Sequence, residues 1–341
     1  MQYQNVSILS LAHIDAPHRV TSSELSQQFA QTLGRLGVGL EVLEYASGIE
    51  ARRYWDNGVQ PSEAAALAGE KALLGSGIDR SRIGIIVNTS VCRDYIEPST
   101  ACLVHQRLGL STECLNFDLG NACLGFLSGM QVVSNMIERG QVDYALVVDG
   151  ESARFVQEAT IARLQRPETT LQEFTEQFAT LTLGSGSVAM VLARTDLVSG
   201  GHRFTGVVNR AATQHSGLCR GQPDHMVTDA KALLVAGIEL ASQTYDYAKT
   251  DFGWIKDGVD QVDEYVLHQV SGTHTASLCK ALGLDTQKVL AIYPEFGNIG
   301  PASVPIVLSK AAESGRLKKG SRVALMGIGS GLNCSMAEII W

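Results

Sequence analysis

Short apolar runs alternate with amphipathic segments along the whole chain. This is the pattern of β-α-β units feeding a mixed, mostly parallel sheet, and it places the chain in the α/β class. The clearest unit lies mid-chain, where CLNFDLG (114–120) predicts a strand, ACLGFLSGMQVVSNMIERG (122–140) a helix closed by Gly140, and DYALVVDG (143–150) the next strand. Leu127, Met130 and Ile137 fall on one face of that helix. Gly125, Ser128 and Gly129 leave its other faces nearly bare, so a buried helix with close neighbours is expected.

Residues 151–180 are more polar and helical, and read as a cap inserted over a pocket before a strand that begins near Gly186. The Gly-rich stretch VSGGHR (198–203) marks a boundary, dividing the chain into halves 1–197 and 198–341. In the second half, 263–271 predicts a strand running into a turn, 273–283 a helix, and 289–298 a strand followed by a loop. A helix then spans 301–315, with Pro301 in the first turn, where its missing N–H costs nothing. The end, RVALMGIGSG and LNCSMAEIIW, reads as two strands joined by a Gly-rich turn. Both halves place a loop of small residues before a buried helix, GNACLG in the first and GNIGPAS in the second, as a duplicated fold would.

Composition narrows the function. With 341 residues, 45% hydrophobic and 18% charged, the chain is long enough for two cores and too apolar for disorder. A net charge of -8 without a basic stripe opposes nucleic-acid binding. An anionic small ligand needs only a local basic rim, for which Arg52, Arg53, Arg220 or the Lys318, Lys319 and Arg322 group are candidates; each alone reads as solvated surface charge. MQYQNVSILSLAHID lacks a basic n-region and reads as a first strand, no apolar run is long enough to span a bilayer, and seven cysteines without a C-x-x-C pair fit a reducing compartment. The expectation is a cytoplasmic protein without a metal.

Cys123 stands out by position. A thiol in the first turn of a buried helix faces unpaired N–H groups and the positive end of the helix dipole, worth up to about 2 kcal/mol, which would lower it from about 8.5 to about 7. The alternative is an inert core cysteine. His268 ends an apolar strand, where α/β sheets deliver side chains to the active crevice, and is a candidate base; a lone strand-end histidine is otherwise simply hydrogen-bonded. Asn298, between two glycines, is either a turn residue or an amide donor to a carbonyl oxygen. The turn GIGSG (327–331) has no following helix and so no nucleotide site, but the Ser330 N–H beside that of Cys123 would make an oxyanion hole. Glu97, in RDYIEPST, reads on its own as a solvated carboxylate or a helix cap.

FDLGNACLGF around Cys123, LHQVSGTH around His268, FGNIGPASVP around Asn298 and the terminal GIGSGLNCS, in that order, resemble the thiolase superfamily. Within it the chain resembles ketoacyl-ACP synthase III and, over nearly its whole length, the OleA family of acyl-CoA condensing enzymes of bacterial long-chain olefin biosynthesis, through LAHIDAPH, ALVVDGE, LCRG, MVTD and ALMGIGSGLNCSMAEIIW. The resemblance implies a duplicated five-layered α-β-α-β-α fold, an obligate homodimer, and a Cys123, His268 and Asn298 triad. It also implies an oxyanion hole at Cys123 and Ser330, and a Glu97 base that reaches into the partner subunit's site. The substrates it implies are fatty acyl-CoA thioesters, with no separate cofactor and with downstream olefin-pathway enzymes as partners. Where ketoacyl synthase III carries HQAN-R-I, this chain reads HQVSGTH, which favours free acyl-CoA over a carrier protein. Three rivals follow: a decarboxylating synthase using malonyl-ACP, a non-catalytic subunit, and a thioesterase.

Overall fold

A computed structural model describes residues 1–341. Nine strands form the main sheet: β1 (Val6–Asp15), β2 (Ile85–Asn88), β3 (Leu115–Asp118), β4 (Tyr144–Glu151), β5 (Gly186–Arg194), β6 (His202–Ala211), β7 (Glu264–Leu267), β8 (Arg322–Gly329) and β9 (Asn333–Ile340). Their order is β7-β8-β9-β6-β1-β5-β4-β2-β3. The sheet is mixed. Parallel pairing joins β2 to β3 and β4, and β7 to β8; the remaining neighbours run antiparallel. The parallel share is therefore smaller than the alternation of strands and helices suggested, because β8 and β9 are linked by a tight hairpin and β4 and β5 by the inserted segment, not by packed crossover helices.

Eight helices matter here: α1 (Pro61–Ser76), α2 (Thr100–Leu108), α3 (Gly125–Glu138), α4 (Arg154–Leu164), α5 (Leu171–Gln177), α6 (Ala230–Asp251), α7 (Gly272–Leu282) and α8 (Ser303–Glu313). The strands are apolar on both faces, and successive side chains point to opposite sides. Val188, Met190 and Leu192 of β5 join one core; Ala189, Val191 and Ala193 join another. In β8, Val323 and Leu325 face the first core while Ala324 and Met326 face a third. The first core collects α3, α8 and one face of each half-sheet, so both helices lie sandwiched between the halves. Helices α1 and α2 cover the outer face of one half, and α6 and α7 that of the other. This is the five-layered α-β-α-β-α thiolase fold. The halves meet edge to edge where β1 touches β6 over only Ser7↔Arg203 and Ile8↔His202.

Leu127, Met130 and Ile137 are buried in the central core, as the helical spacing predicted. The helix itself begins at Gly125 and not at 122, because Ala122 adopts a left-handed φ of 44° that turns the chain before the helix can start. The strand expected over 289–298 is replaced by one short helical turn, Tyr293–Phe296. Its backbone has no sheet partner because Gln269 satisfies it. The Gln269 Oε1 accepts the N–H groups of Ile292 (2.8 Å) and Tyr293 (3.0 Å), and its Nε2 donates to Leu290 O at 2.6 Å.

The inserted segment forms α4 and α5, which pack Ile161, Leu164 and Phe174 against Leu25, Phe29, Leu33 and Leu43 in a separate small core. No helix is long and apolar enough to cross a membrane.

Candidate active site

Cys123 lies in the turn between β3 and α3, two residues before the helix. The turn is closed by Leu124 N–H donating to Asn121 O (2.9 Å) and Gly125 N–H to Ala122 O (3.0 Å). The Cys123 N–H itself finds no backbone or side-chain acceptor elsewhere in the chain, and neither does that of Ser330, just past the end of β8. The two segments touch: a Cβ built on Gly329 would stand 3.2 Å from the Cys123 nitrogen. Two neighbouring N–H groups with no acceptor elsewhere in the chain, at a partly exposed thiol, are what an oxyanion hole requires.

His268 directly follows β7 and donates its N–H to Met326 O of β8 at 2.8 Å, three residues before Gly329. The residue is 2% exposed, and its Nδ1 is buried without a partner. Burial, with His274 nearby, pushes the imidazole down to about 3, so it rests neutral in the free chain. Asn298 is pinned through its main chain: its N–H donates to Thr182 O (2.9 Å), and its own O accepts Gly184 N–H (2.8 Å). Its Oδ1 accepts the Gly300 N–H at 3.0 Å, which leaves the amide NH2 without an acceptor in the chain. The next residue, Pro301, lies 3.4 Å from where a Gly125 Cβ would stand, so the Asn298 turn abuts the start of α3. The structure thus brings Cys123, His268, Asn298 and Ser330 to one junction of β8, α3 and the 298–301 turn.

The charge state of the thiol departs from the sequence reading. Burial pushes Cys123 up to about 12, with Cys219, Glu151 and Asp149 adding to the shift and only a hydrogen bond from its own N–H opposing it. The thiol precedes the helix and has buried carboxyls behind it, so the dipole does not decide its ionisation, and it rests as a neutral thiol.

Glu97 is not at this junction. It sits on an exposed loop, next to Tyr95 (59% exposed) and Ile96 (93% exposed). Nor do the basic candidates form one rim. Arg52 is fully buried, donating to Ser22 Oγ and Leu181 O; Arg53 faces Glu295 at 3.5 Å and Arg322 faces Glu338 at 3.3 Å. Sequence reasoning passed over Asp149 and Glu151, buried at the end of β4, although two carboxyls closing an apolar strand were a visible signal.

Residues 117–161 match the family model of 3-oxoacyl-[acyl-carrier-protein] synthase III, and residues 257–341 match that of its C-terminal region. The acyl-CoA:acyl-CoA alkyltransferase of Xanthomonas campestris pv. campestris is 54% identical over 341 residues, with 100% of both chains covered. Cerulenin-bound OleA from Xanthomonas campestris superposes with a TM-score of 0.97 at 53% identity, over 100% of this chain and 98% of the other. The chain belongs to the OleA family of acyl-CoA:acyl-CoA alkyltransferases. The Shewanella oneidensis alkyltransferase is a more distant relative, 38% identical over the full length of both chains. A cysteine-to-serine variant of Xanthomonas campestris OleA, solved with bound lauric acid and lauroyl-CoA, matches with a TM-score of 0.96 at 53% identity, over 99% of this chain and all of that one. Membership in this family, within the thiolase superfamily, makes the chain an acyltransferase.

Proposed function

We propose that the chain joins two long-chain fatty acyl-CoA thioesters by non-decarboxylative Claisen condensation, giving a 2-alkyl-3-oxoalkanoic acid as the first step of long-chain olefin formation. The observation that supports this reading is the pair of N–H groups at Cys123 and Ser330 with no acceptor elsewhere in the chain, where the two segments touch.

In the first half-reaction the Cys123 sulfur attacks the thioester carbonyl as its proton passes to His268. The carbonyl oxygen becomes an oxyanion held by the two N–H groups, and CoA leaves with the proton. The Asn298 NH2 and His268 then flank the acyl carbonyl. A second acyl-CoA enters, and Glu97 of the partner subunit removes its α-proton. The carbanion attacks the Cys123 thioester, a carbon–carbon bond forms, and the Cys123 sulfur leaves and is reprotonated. Water then cleaves the remaining thioester, releasing CoA and the keto acid.

Incubation with myristoyl-CoA alone tests the proposal, following free CoA and coupled product. The expected result is both, with an acyl adduct on Cys123 by intact mass that Cys123→Ser abolishes. Glu97→Ala is expected to form the adduct yet lower coupling by about a hundredfold or more, the usual contribution of a general base. A strict need for malonyl-ACP would establish the decarboxylating synthase instead, and acid release without coupling a thioesterase.

A further inference from the structure

Strand β4 ends in Asp149 and Glu151, two carboxyls on the same face that are almost fully buried. Glu151 Oε1 accepts the N–H of Val91 at 2.6 Å, and its Oε2 accepts that of Cys92 at 3.4 Å. One step earlier, Thr89 Oγ1 donates to Asp149 Oδ2 at 2.6 Å, and Ser90 Oγ accepts the Gly150 N–H at 2.8 Å. The stem of the loop that ends in Glu97 is thus stitched, residue by residue, to the end of β4. The Glu151 carboxyl also faces the Asn298 turn, where a Cβ on Gly300 would stand 3.7 Å from its Cδ.

The remaining Asp149 oxygen, Oδ1, is buried with no partner. A protonated Asp149 resolves that orphan by donating to Glu151. Burial, together with the Glu151 charge, pushes Asp149 well above the usual carboxylate range, and burial pushes Glu151 to about 7. The pair therefore does not ionise twice near neutral pH, and Asp149 is the protonated member. When ionised, the buried Glu151 carboxylate accepts two main-chain N–H groups in bonds about twice as strong as neutral ones.

We infer that Glu151, backed by Asp149, is a positioning residue for condensation: it clamps the loop stem at Val91 and Cys92 and thereby sets Glu97 for work in the partner subunit's site. The inference rests on the proposed role of Glu97. It requires the clamp to act in trans, although Glu151 lies beside the Cys123 of its own chain.

Glu151→Ala is expected to form the Cys123 acyl adduct and release the first CoA normally while losing coupled product by about tenfold or more. Glu151→Gln keeps one acceptor for the Val91 N–H and is expected to fall between, and it serves if the alanine variant does not fold. Equal loss of adduct and coupling would overturn the clamp. Mixed dimers, isolated through two different affinity tags, then separate cis from trans. In a dimer of E151A and C123S subunits, the one complete site takes Cys123 from the first and a clamped Glu97 from the second, so it should regain about half of wild-type coupling, one site of two. A dimer of E97A and C123S subunits tests the role of Glu97 by the same logic. Recovery in both supports the inference. Recovery only with E97A overturns the clamp and leaves the proposed function standing, since Glu151 then acts on its own Cys123. Recovery only with E151A also overturns it, because the clamp does not then work through Glu97. Recovery in neither overturns the clamp and the trans role of Glu97 together.

Discussion

His268 and His274 show at the scale of single residues what this site costs the fold. His268 is buried and His274 partly buried, and neither buried Nδ1 has a partner. Burial pushes His268 to about 3, helped by His274, and His274 to about 4. Each is therefore neutral when folded but protonates at about 6.5 once unfolded. A lowered folded value means stability that is complete above about 6.5 and lost as pH falls toward 4 and 3. His274 alone should contribute roughly 3 kcal/mol to that loss, from its displacement of about two to three pKa units. The thermal midpoint is expected to fall steeply between pH 6.5 and 4, and His274→Asn to flatten the slope; an unchanged slope in that variant would refute the assignment. The same residue, as part of the HQVSGTH signature, was legible in sequence only as a pattern. Its ionisation was not, nor was that of Cys123, because the carboxyls of Asp149 and Glu151 reach Cys123 only through the folded sheet.

At the scale of elements, α3 is the part the sequence described best, and its first residue carries the most consequence. The apolar spacing and the bare glycine faces pointed to a buried helix, and the central core contains it. The exact start was not legible, since a left-handed Ala122 is set by the turn's closure rather than by any residue preference. The short turn at Tyr293–Phe296 was equally hidden, because the side chain that satisfies it, Gln269, lies more than twenty residues away in sequence. A Cβ at Gly125 would stand 2.5 Å from the Thr89 carbonyl oxygen and 3.4 Å from Pro301 Cβ, both on segments that carry site residues. Gly125→Ala is therefore expected to destabilise by about 1–3 kcal/mol, and to slow Cys123 acylation beyond what the stability loss explains. Gly34→Ala, on a short helix with open space around it, is the control and should stabilise slightly. Thermal melts with single-turnover CoA release distinguish the two; parallel behaviour would show that the packing of α3 against Thr89 and Pro301 is not critical.

At the scale of the molecule, the chain alone leaves the proposed reaction one group short. Cys123, His268, Asn298 and Ser330 meet at one junction, whereas Glu97 stands on an exposed loop with Val91, Tyr95 and Ile96. Three large apolar side chains held in water around one carboxylate are disfavoured at about 25 cal/mol per Å² of apolar surface, which a covering partner would recover. Beside the loop, β3 forms the open edge of the sheet, with Leu115 half exposed, so a second copy of the chain offers cover for both. In the proposed dimer Ile96 would be covered, so Ile96→Asp is expected to shift the protein to monomer in sedimentation velocity by placing a charge in that contact. Such a monomer should still take an acyl group onto Cys123, since the nucleophile, its imidazole and both oxyanion N–H groups belong to one chain. It should couple nothing, because in the proposed reaction the base comes from the partner. A monomeric variant that condensed acyl-CoA at the wild-type rate would show that Glu97 serves its own subunit, and the division of labour between two chains would have to be abandoned.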